Sequence, residues 1–284
     1  MKTLGIVILY YPNINIEENI ASYIDSLDKL IIWNNTPKEA SGSCVTIKSS
    51  WEDKIILMGL GKNVGIGKAL NEGVRYASEN NYTFLLTMDQ DSCFVKDDFN
   101  RYLDIIKKAN IKSIFSPNYV IHGKEWYTSM SDFIEVETTM TSGSIYPVYL
   151  FSEIGSFRDD FFIDAIDTEF SLRAKKFGIT TRVIPNAYLI HGAGYQKTKY
   201  KFLWKTFFPN EYSPVRSYYI VRNGIITKHL YPWANWKGFL YYWFYKRLFF
   251  VICYEDNKFA KIKGLLYGFY HGMIGKTGEQ TIFK

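Results

Sequence analysis

Short apolar runs alternate with helix-spaced segments over the first 110 residues, and that alternation admits few folds. Leu4 to Tyr10 reads as a buried strand, followed by Ile16, Ile20, Tyr23, Ile24 and Leu27 at helical spacing up to Leu27. Leu30 to Trp33 reads as a second strand, stopped by the turn signal Asn34-Asn35-Thr36-Pro37. Ile55 to Leu60 is a third. Gly65 to Asn80 then places Ile66, Ala69, Leu70, Val74 and Ala77 on one helical stripe. Tyr82 to Met88 is a fourth strand, and Asp97 to Ala109 a further helix. Such an order predicts an α/β fold with a mainly parallel sheet and helices on both faces.

The fourth strand ends in Met88-Asp89-Gln90-Asp91-Ser92. In an open α/β sheet, ligands bind beyond the carboxyl ends of the strands. Two acids at that place suit a hard divalent cation, which takes oxygen ligands and is often completed by substrate phosphates. Asp-x-Asp pairs also occur on solvated loops; the strand before this one and the helix after it single it out. The glycine-rich run Gly59 to Lys68 holds no Gly-x-x-x-x-Gly-Lys-Ser/Thr register, and it fails the dinucleotide fingerprint because Val64 stands at the third glycine position. It still brings Asn63 and Gly65 to a helix N-terminus, where a ligand can approach closely. A plain strand-to-helix turn accounts for it equally well.

A second acidic cluster, Asp164-Ala165-Ile166-Asp167-Thr168-Glu169, lies between bulky apolar residues and leads into a helix. Asp167 near that helix start is either a partly desolvated general base or an acid that offsets the helix dipole. His191 follows the strand-like Ala187 to Ile190 and opens His191-Gly192-Ala193-Gly194, where it can serve a metal, a phosphate or the fold alone. His122, His229 and His271 form no constellation with acids. No Ser/His/Asp or Cys/His arrangement for covalent catalysis stands out.

Charge divides the chain unevenly. Residues 1–194 carry 19 Lys/Arg against 24 Asp/Glu, a net of −5, and residues 195–284 carry 15 against 4, a net of +11. Twelve of the 25 residues from Leu230 to Tyr254 are aromatic, so the tail suits an anionic lipid surface, a nucleic acid, or a packed helical subdomain with a basic face. Lys246-Arg247 splits its longest apolar run, leaving nothing near the ~20 residues a span needs. The expected division is residues 1–200 as an α/β domain and 201–284 as a helical extension. Met1-Lys2-Thr3 runs directly into the strand at Leu4, so no signal peptide is expected. Cys44, Cys93 and Cys253 are widely spaced and fit a reducing compartment.

In combination, these motifs resemble the family 2 glycosyltransferases with a GT-A fold, and within them bacterial rhamnosyltransferases of O-antigen and capsule synthesis. The likeness runs through Ile8-Leu9-Tyr10-Tyr11-Pro12, Ile32-Trp33-Asn34-Asn35-Thr36, Asn63 to Asn71, Met88 to Ser92, Thr141-Ser142-Gly143-Ser144, Phe162 to Glu169 and Ser213 to Tyr219 with Arg222-Asn223. It implies a Rossmann-like nucleotide-diphospho-sugar transferase that is metal-dependent and inverting. The donor is expected to be dTDP-L-rhamnose, or else UDP-galactose, UDP-galactofuranose or UDP-N-acetylglucosamine. The acceptor is expected to be a glycan carried on a polyprenyl diphosphate at the cytoplasmic face of a bacterial plasma membrane, with the basic aromatic tail on that surface and exposed aromatics suiting a homodimer. No nucleic-acid partner is expected on this reading.

The resemblance also implies roles. Tyr10, Pro12, Asn34, Asn63, Gly65, Lys68, Asp89 and Arg173 fall on the nucleotide-sugar side. Asp91 and His191 fall on Mg2+ or Mn2+, Asp167 on the acceptor proton, and Ser142, Gly143 and Asp164 on the acceptor side. One departure stands out: the family usually has Asp-Asn after its second strand, where this chain has Asn34-Asn35. An Asn oxygen still accepts from a base N3–H, but without charge.

Overall fold

The computed structural model describes residues 2–12, 16–38, 48–109, 111–121, 123–192, 200–202, 205–207, 212–238 and 241–283. Cys44, His122 and the pair Ala193-Gly194 lie outside the described residues. The chain divides into two compact units: Met1–Arg158 with Phe170–Gly192, and Asp159–Glu169 with Ala193–Lys284. The composition change near residue 195 falls beside one boundary; nothing in the composition marks Asp159–Glu169 as a separate piece.

The first unit runs β1 (Thr3–Leu9), α1 (Ile16–Ala21), β2 (Lys29–Asn34), β3 (Ile55–Met58), α2 (Ile66–Glu79), β4 (Phe84–Asp89), β5 (Ser92–Phe94) and α3 (Asp98–Ala109). It continues with β6 (Ser113–Ile121), β7 (Lys124–Glu125), β8 (Ile134–Val136), β9 (Ile145–Pro147), α4 (Leu150–Ile154), α5 (Ile166–Lys176) and β10 (Thr180–His191). The first turn of α5 is grouped with the second unit. The sheet order is β3-β2-β1-β4-β9-β6-β10-β5. Strands β3, β2, β1 and β4 are mutually parallel, as are β6 and β10, whereas β9 is antiparallel to both β4 and β6.

All seven residues of β1 are buried, as a central strand covered on both faces requires. Helix α2 buries Ala69, Leu70, Val74 and Ala77, and at Gly73 an added Cβ would meet Ile6 at 3.0 Å. That glycine lets the helix lie close on β1. Helix α3 buries Phe99, Tyr102, Leu103 and Ile106 at i, i+3, i+4 and i+7, each contributing about 1.5–3 kcal/mol. The helix expected to reach Leu27 breaks instead at Ala21, and a short 3-10 turn, Ile24–Ser26, follows. Its apolar stripe is right, since Ile16, Ile20, Tyr23, Ile24 and Leu27 are all buried. The Ser22 hydroxyl donates to the Asn19 carbonyl at 2.7 Å and competes with the helical ladder.

The second unit holds the antiparallel pair β11 (Tyr200–Phe202) and β12 (Lys205–Phe207), then α6 (Pro214–Leu230), α7 (Lys246–Cys253) and α8 (Lys258–Met273). Ser213 caps α6 by accepting from the Arg216 N–H at 3.1 Å, with Pro214 at the first helical position. Every residue of α6 from Ser217 to Thr227 is buried, polar ones included. Gly264, Gly268 and Gly272 form one face of α8 against it; a Cβ at Gly264 or Gly268 would stand 2.5 Å from the carbonyl oxygens of Pro214 and Tyr218. The two helix backbones therefore touch, and only glycine permits it. Glu255, fully buried, accepts from both Arg247 and Lys261, so that no charge in this trio is left unpaired.

His271 on α8 is buried, its Nδ1 2.7 Å from the Tyr218 hydroxyl. Burial, and then the nearby Lys276 and Arg222 charges, push its imidazole below the ordinary value. A folded-state pKa below the unfolded one gives stability that is complete above the ordinary imidazole range and declines as pH falls toward the folded value. His271→Gln removes that titration. Between about pH 7.5 and 5 the variant's thermal midpoint is expected to fall less than that of the wild type. Equal falls would show that His271 titrates alike in both states.

Candidate active site

Three parallel strands deliver the first set of residues. Ile8 stands opposite Asp89 across β1 and β4, and Leu9 opposite Asn34 across β1 and β2. Tyr10, Asn34 and Asp89 therefore leave the sheet at one edge, the carboxyl edge where α/β sheets bind ligands. Gln90 fixes that edge: its Oε1 accepts from the Tyr10 N–H at 2.8 Å and its Nε2 donates to the Tyr10 carbonyl at 3.1 Å. Asn19 on α1 donates to the Gln90 carbonyl at 2.8 Å. Tyr10 and Tyr11 are exposed, edge to face with centroids 4.6 Å apart, and Tyr11 adopts a left-handed φ of 46° as the loop turns toward Pro12. Paired exposed rings at this edge offer a face on which a base can stack.

Asp89, Asp91 and His191 bring one ligand atom each to within 4.8 Å of one another. Strand β5 makes this possible by pairing antiparallel with β10, so that Ser92 faces His191. Behind the cluster runs a chain of hydroxyls. Ser142 Oγ accepts from the Asp89 N–H at 3.2 Å and donates to Ser92 Oγ at 2.8 Å, and Ser92 Oγ lies 2.7 Å from His191 Nδ1. The same Nδ1 stands 3.8 Å from Asp91 Oδ1, so the bond to Ser92 sets the orientation of the ring toward the acids. The Gly192 N–H donates to the Asp91 carbonyl at 3.0 Å, and a Cβ there would stand 2.9 Å from Asp91 Oδ2, so a larger residue after His191 would push the Asp91 carboxylate aside. Two carboxylates and an imidazole fit Mg2+ or, with its greater tolerance for nitrogen, Mn2+.

The Ser-Gly loop belongs to the same construction. The Thr87 hydroxyl donates to the Thr141 carbonyl, the Gly143 N–H to the Thr87 carbonyl at 2.8 Å, and the Thr87 N–H to the Ser144 carbonyl at 3.0 Å. Gly143, at φ +78°, would drive a Cβ to within 2.7 Å of Pro117. Ser142 is fully buried. It braces the acidic cluster from behind, and its side chain has no surface to offer an acceptor, contrary to the acceptor-side placement expected for it.

On the other side of β1, Asn35 is the hub. Its Oδ1 accepts from the Val64 N–H at 2.9 Å and its Nδ2 donates to Asn63 Oδ1 at 2.9 Å, while Asn63 Oδ1 also accepts from the Gly65 N–H. The end of β2 and the turn into α2 are thereby tied together, with Gly65 at φ 83° starting the helix. Asn34 Oδ1 accepts from the Thr36 N–H at 2.9 Å, an Asx turn that uses one of its two lone pairs. Lys68 is exposed on the first turn of α2.

In the second unit, Phe162, Asp164 and Ala165 hold left-handed φ values of 67°, 65° and 61° just before Asp167. Each costs about 1–2 kcal/mol in a residue with a Cβ. Asp164 receives the Arg216 guanidinium at 3.2 Å; burial raises its carboxyl pKa, and Arg216 acts in the opposite direction. Asp167 Oδ1 accepts from the Thr168 N–H at 2.7 Å, and Glu169 accepts from the Tyr231 hydroxyl at 2.7 Å. Arg173, in the first unit, donates from Nη1 to the Ile154 and Ser156 carbonyls at 2.9 and 2.8 Å, which caps the end of α4.

Sequence reasoning had not singled out Gln90, Ser92, Asn35 or Arg216. For Gln90 the available signal was its place between the two acids. Nothing local marked Ser92 as the partner of a histidine 99 positions away. Ser92→Ala is expected to weaken divalent-cation binding about 10–100-fold by calorimetry, because the imidazole loses the bond that orients it. Unchanged affinity would show that His191 is no ligand.

The family profile described as Glycosyl transferase family 2 matches residues 6–175. The chain is 27% identical over 255 residues to the dTDP-rhamnosyl transferase RfbF of Shigella flexneri, covering 82% of this chain and 84% of that protein. It is 22% identical over 308 residues to the low-salt glycan biosynthesis hexosyltransferase Agl10 of Haloferax volcanii, covering 98% and 94%. Among solved structures, GalNAc-T7 with UDP, GalNAc and Mn2+ matches with a TM-score of 0.59 at 10% identity, covering 84% of this chain and 49% of that one, so the chain spans about half its length. Residues 1–349 of S. aureus TarS with UDP-GlcNAc match with a TM-score of 0.52 at 16% identity, covering 93% and 80%. At such identities the structural likeness speaks for the fold alone, the GT-A fold that the motifs implied.

Proposed function

The chain belongs to glycosyl transferase family 2, and we propose that it transfers L-rhamnose from dTDP-L-rhamnose to a growing surface glycan, with inversion at the anomeric carbon. The observation that carries the reading is the convergence of Asp89, Asp91 and His191 at the carboxyl edge of the parallel strands. Similarity to a dTDP-rhamnosyl transferase over most of both chains supports the choice of donor.

Asp89, Asp91 and His191 would hold a divalent cation. When bound there, it supplies Lewis-acid neutralisation of the charge gathering on the departing nucleoside diphosphate. Tyr10, Pro12, Asn34, Asn63, Gly65 and Lys68 form the nucleotide side, with the Tyr10 and Tyr11 rings facing the base. Asp167 takes the proton of the acceptor hydroxyl as that oxygen bonds to the anomeric carbon and the bond to the diphosphate breaks. A single displacement needs no enzyme nucleophile, in keeping with a sequence that offers none. Asp164 and Gly143 lie on the acceptor side.

Asp91→Asn and Asp167→Asn are each expected to lower transfer about 10²–10⁴-fold while the thermal midpoint stays close to that of wild type. The assay is transfer from a panel of dTDP- and UDP-sugars, with and without Mg2+ or Mn2+. A UDP-sugar preferred over dTDP-L-rhamnose would replace the donor and keep the mechanism. Full activity in Asp167→Asn would end the assignment of the base.

The acceptor is carried on a polyprenyl diphosphate, and α8 lies on the membrane that holds it. Phe259, Lys263, Leu266, Tyr270 and Met273 recur on the face of α8 opposite its glycines, and all five are exposed. Among the described residues no helix is long and apolar enough to cross a membrane. An apolar stripe flanked by Lys258, Lys263 and Lys276 in a region of net +11 suits insertion among anionic headgroups. Flotation with vesicles rich in phosphatidylglycerol is expected for the wild type and not for Leu266→Asp with Tyr270→Asp. Equal flotation, or a stable dimer that the same substitutions dissolve, would assign this face elsewhere.

A further inference from the structure

Three polar side chains of α6, Arg216, Arg222 and Asn223, bond to the segment that leads into Asp167, and two of them are adjacent and wholly buried. Arg222 Nη2 donates to the carbonyls of Asp160 and Phe161, each at 3.1 Å, and its Nη1 to the carbonyl of Gly278 at 2.6 Å. Asn223 Nδ2 donates to the carbonyls of Phe161, Ile163 and Asp164 at 2.9, 2.8 and 2.9 Å. Arg222 Nε also donates to Asn223 Oδ1 at 2.8 Å, so the two side chains move as one. The Tyr219 ring lies 4.7 Å from the guanidinium and stacks on Phe162 at 5.1 Å.

A buried guanidinium ordinarily meets a carboxylate. Two of the bonds made by Arg222 go instead to main-chain carbonyls of the run that contains the left-handed Phe162, Asp164 and Ala165, and the others to the Gly278 carbonyl and the Asn223 side chain. A run of non-glycine residues in that conformation persists only where its surroundings over-determine it. The carbonyl oxygens of residues 160, 161, 163 and 164 all converge on this one pair of side chains. A lysine could bury its charge there, but it lacks the planar fork that reaches several oxygens at fixed angles.

We propose that Arg222 and Asn223 are positioning residues for sugar transfer: they hold residues 160–165 in the conformation that opens α5 and so set the direction of Asp167. The proposal rests on Asp167 being the base of the reading above. Neither residue touches substrate.

The test compares Arg222→Lys and Asn223→Asp, the latter equal in shape but turning a donor into an acceptor, with Val251→Ala. Val251 is buried on α7 beside Val221, Ile225 and Leu265 and touches none of residues 160–165 in its cluster. It reports what loss of stability alone does. For each protein, kcat, the donor KM, the thermal midpoint and amide hydrogen exchange across residues 161–169 are measured. Arg222→Lys and Asn223→Asp are expected to lower kcat by roughly 30–100-fold with the donor KM within about twofold. Exchange across 161–169 is expected to rise about tenfold or more in both, and in neither respect should Val251→Ala follow them. A kcat loss matched by Val251→Ala at equal thermal midpoint, a loss confined to KM, or unchanged exchange at 161–169 each overturns the proposal. If the wild type transfers sugar from no donor, the functional reading has failed by itself. Exchange then decides the positioning claim: a rise in Asn223→Asp upholds the clamp, and no rise removes it.

Discussion

Three parallel strands ending at the same height, two of them joined at their ends by one glutamine, are what the site in the first unit depends on. Parallel pairing places Asp89 beside Ile8, and Asn34 beside Leu9. Because parallel strands all point one way, their carboxyl ends gather residues far apart in sequence without any loop having to search for them. Gln90 then removes the remaining freedom by bonding both the N–H and the carbonyl of Tyr10. A carboxylate at that middle position could accept from the N–H but would repel the carbonyl. The acids that flank Gln90 are thereby aimed by the same contact that shapes the loop after β1.

Around this edge the hydrogen bonds are layered. Thr87 fixes the Ser-Gly loop, the loop presents Ser142, Ser142 bonds Asp89 and Ser92, and Ser92 orients His191. Every member is buried except the three groups that face outward, so each internal bond is made in a medium of low dielectric where its absence would be costly. The short antiparallel β9 between β4 and β6 serves this layering, because the Ser-Gly loop that precedes it must run back along β4. Gly192 and Gly143 follow from the same crowding, since both sit where a Cβ would overlap a neighbour.

Much of this was legible in the sequence. Strands β1 to β4 and helices α2 and α3 follow from periodicity, because each is long enough and buried enough to repeat its pattern several times. The ends were less clear: Asp89 closes β4 where Met88 had been expected to, and β3 stops at Met58 short of Leu60. Strand β5 has three residues, too few to show a period, and β9 is as short. The acids and His191 drew notice because ionisable groups directly after a strand are conspicuous. Their supports were missed because serine, threonine and glutamine look ordinary until tertiary structure gives them a partner. Arg173 was noticed for its charge, and the two carbonyls at the end of α4 that its Nη1 meets had no signal in the sequence.

The second unit reverses the logic of the first. There the critical segment is no regular element but a strained turn, and the regular element, α6, is what braces it. A helix buried around its circumference normally reads as apolar all round, yet α6 carries Arg222, Asn223 and Thr227 in its interior. Burying a guanidinium among apolar residues costs several kcal/mol unless all its donors are used. The carbonyls of Asp160, Phe161 and Gly278 and the side chain of Asn223 receive them here. Polar groups so deep inside a helical unit fix one conformation of the residues they bond, and those residues end at Asp167. Apolar packing could have stabilised the same helices equally well, but it has no direction and could not have selected that turn.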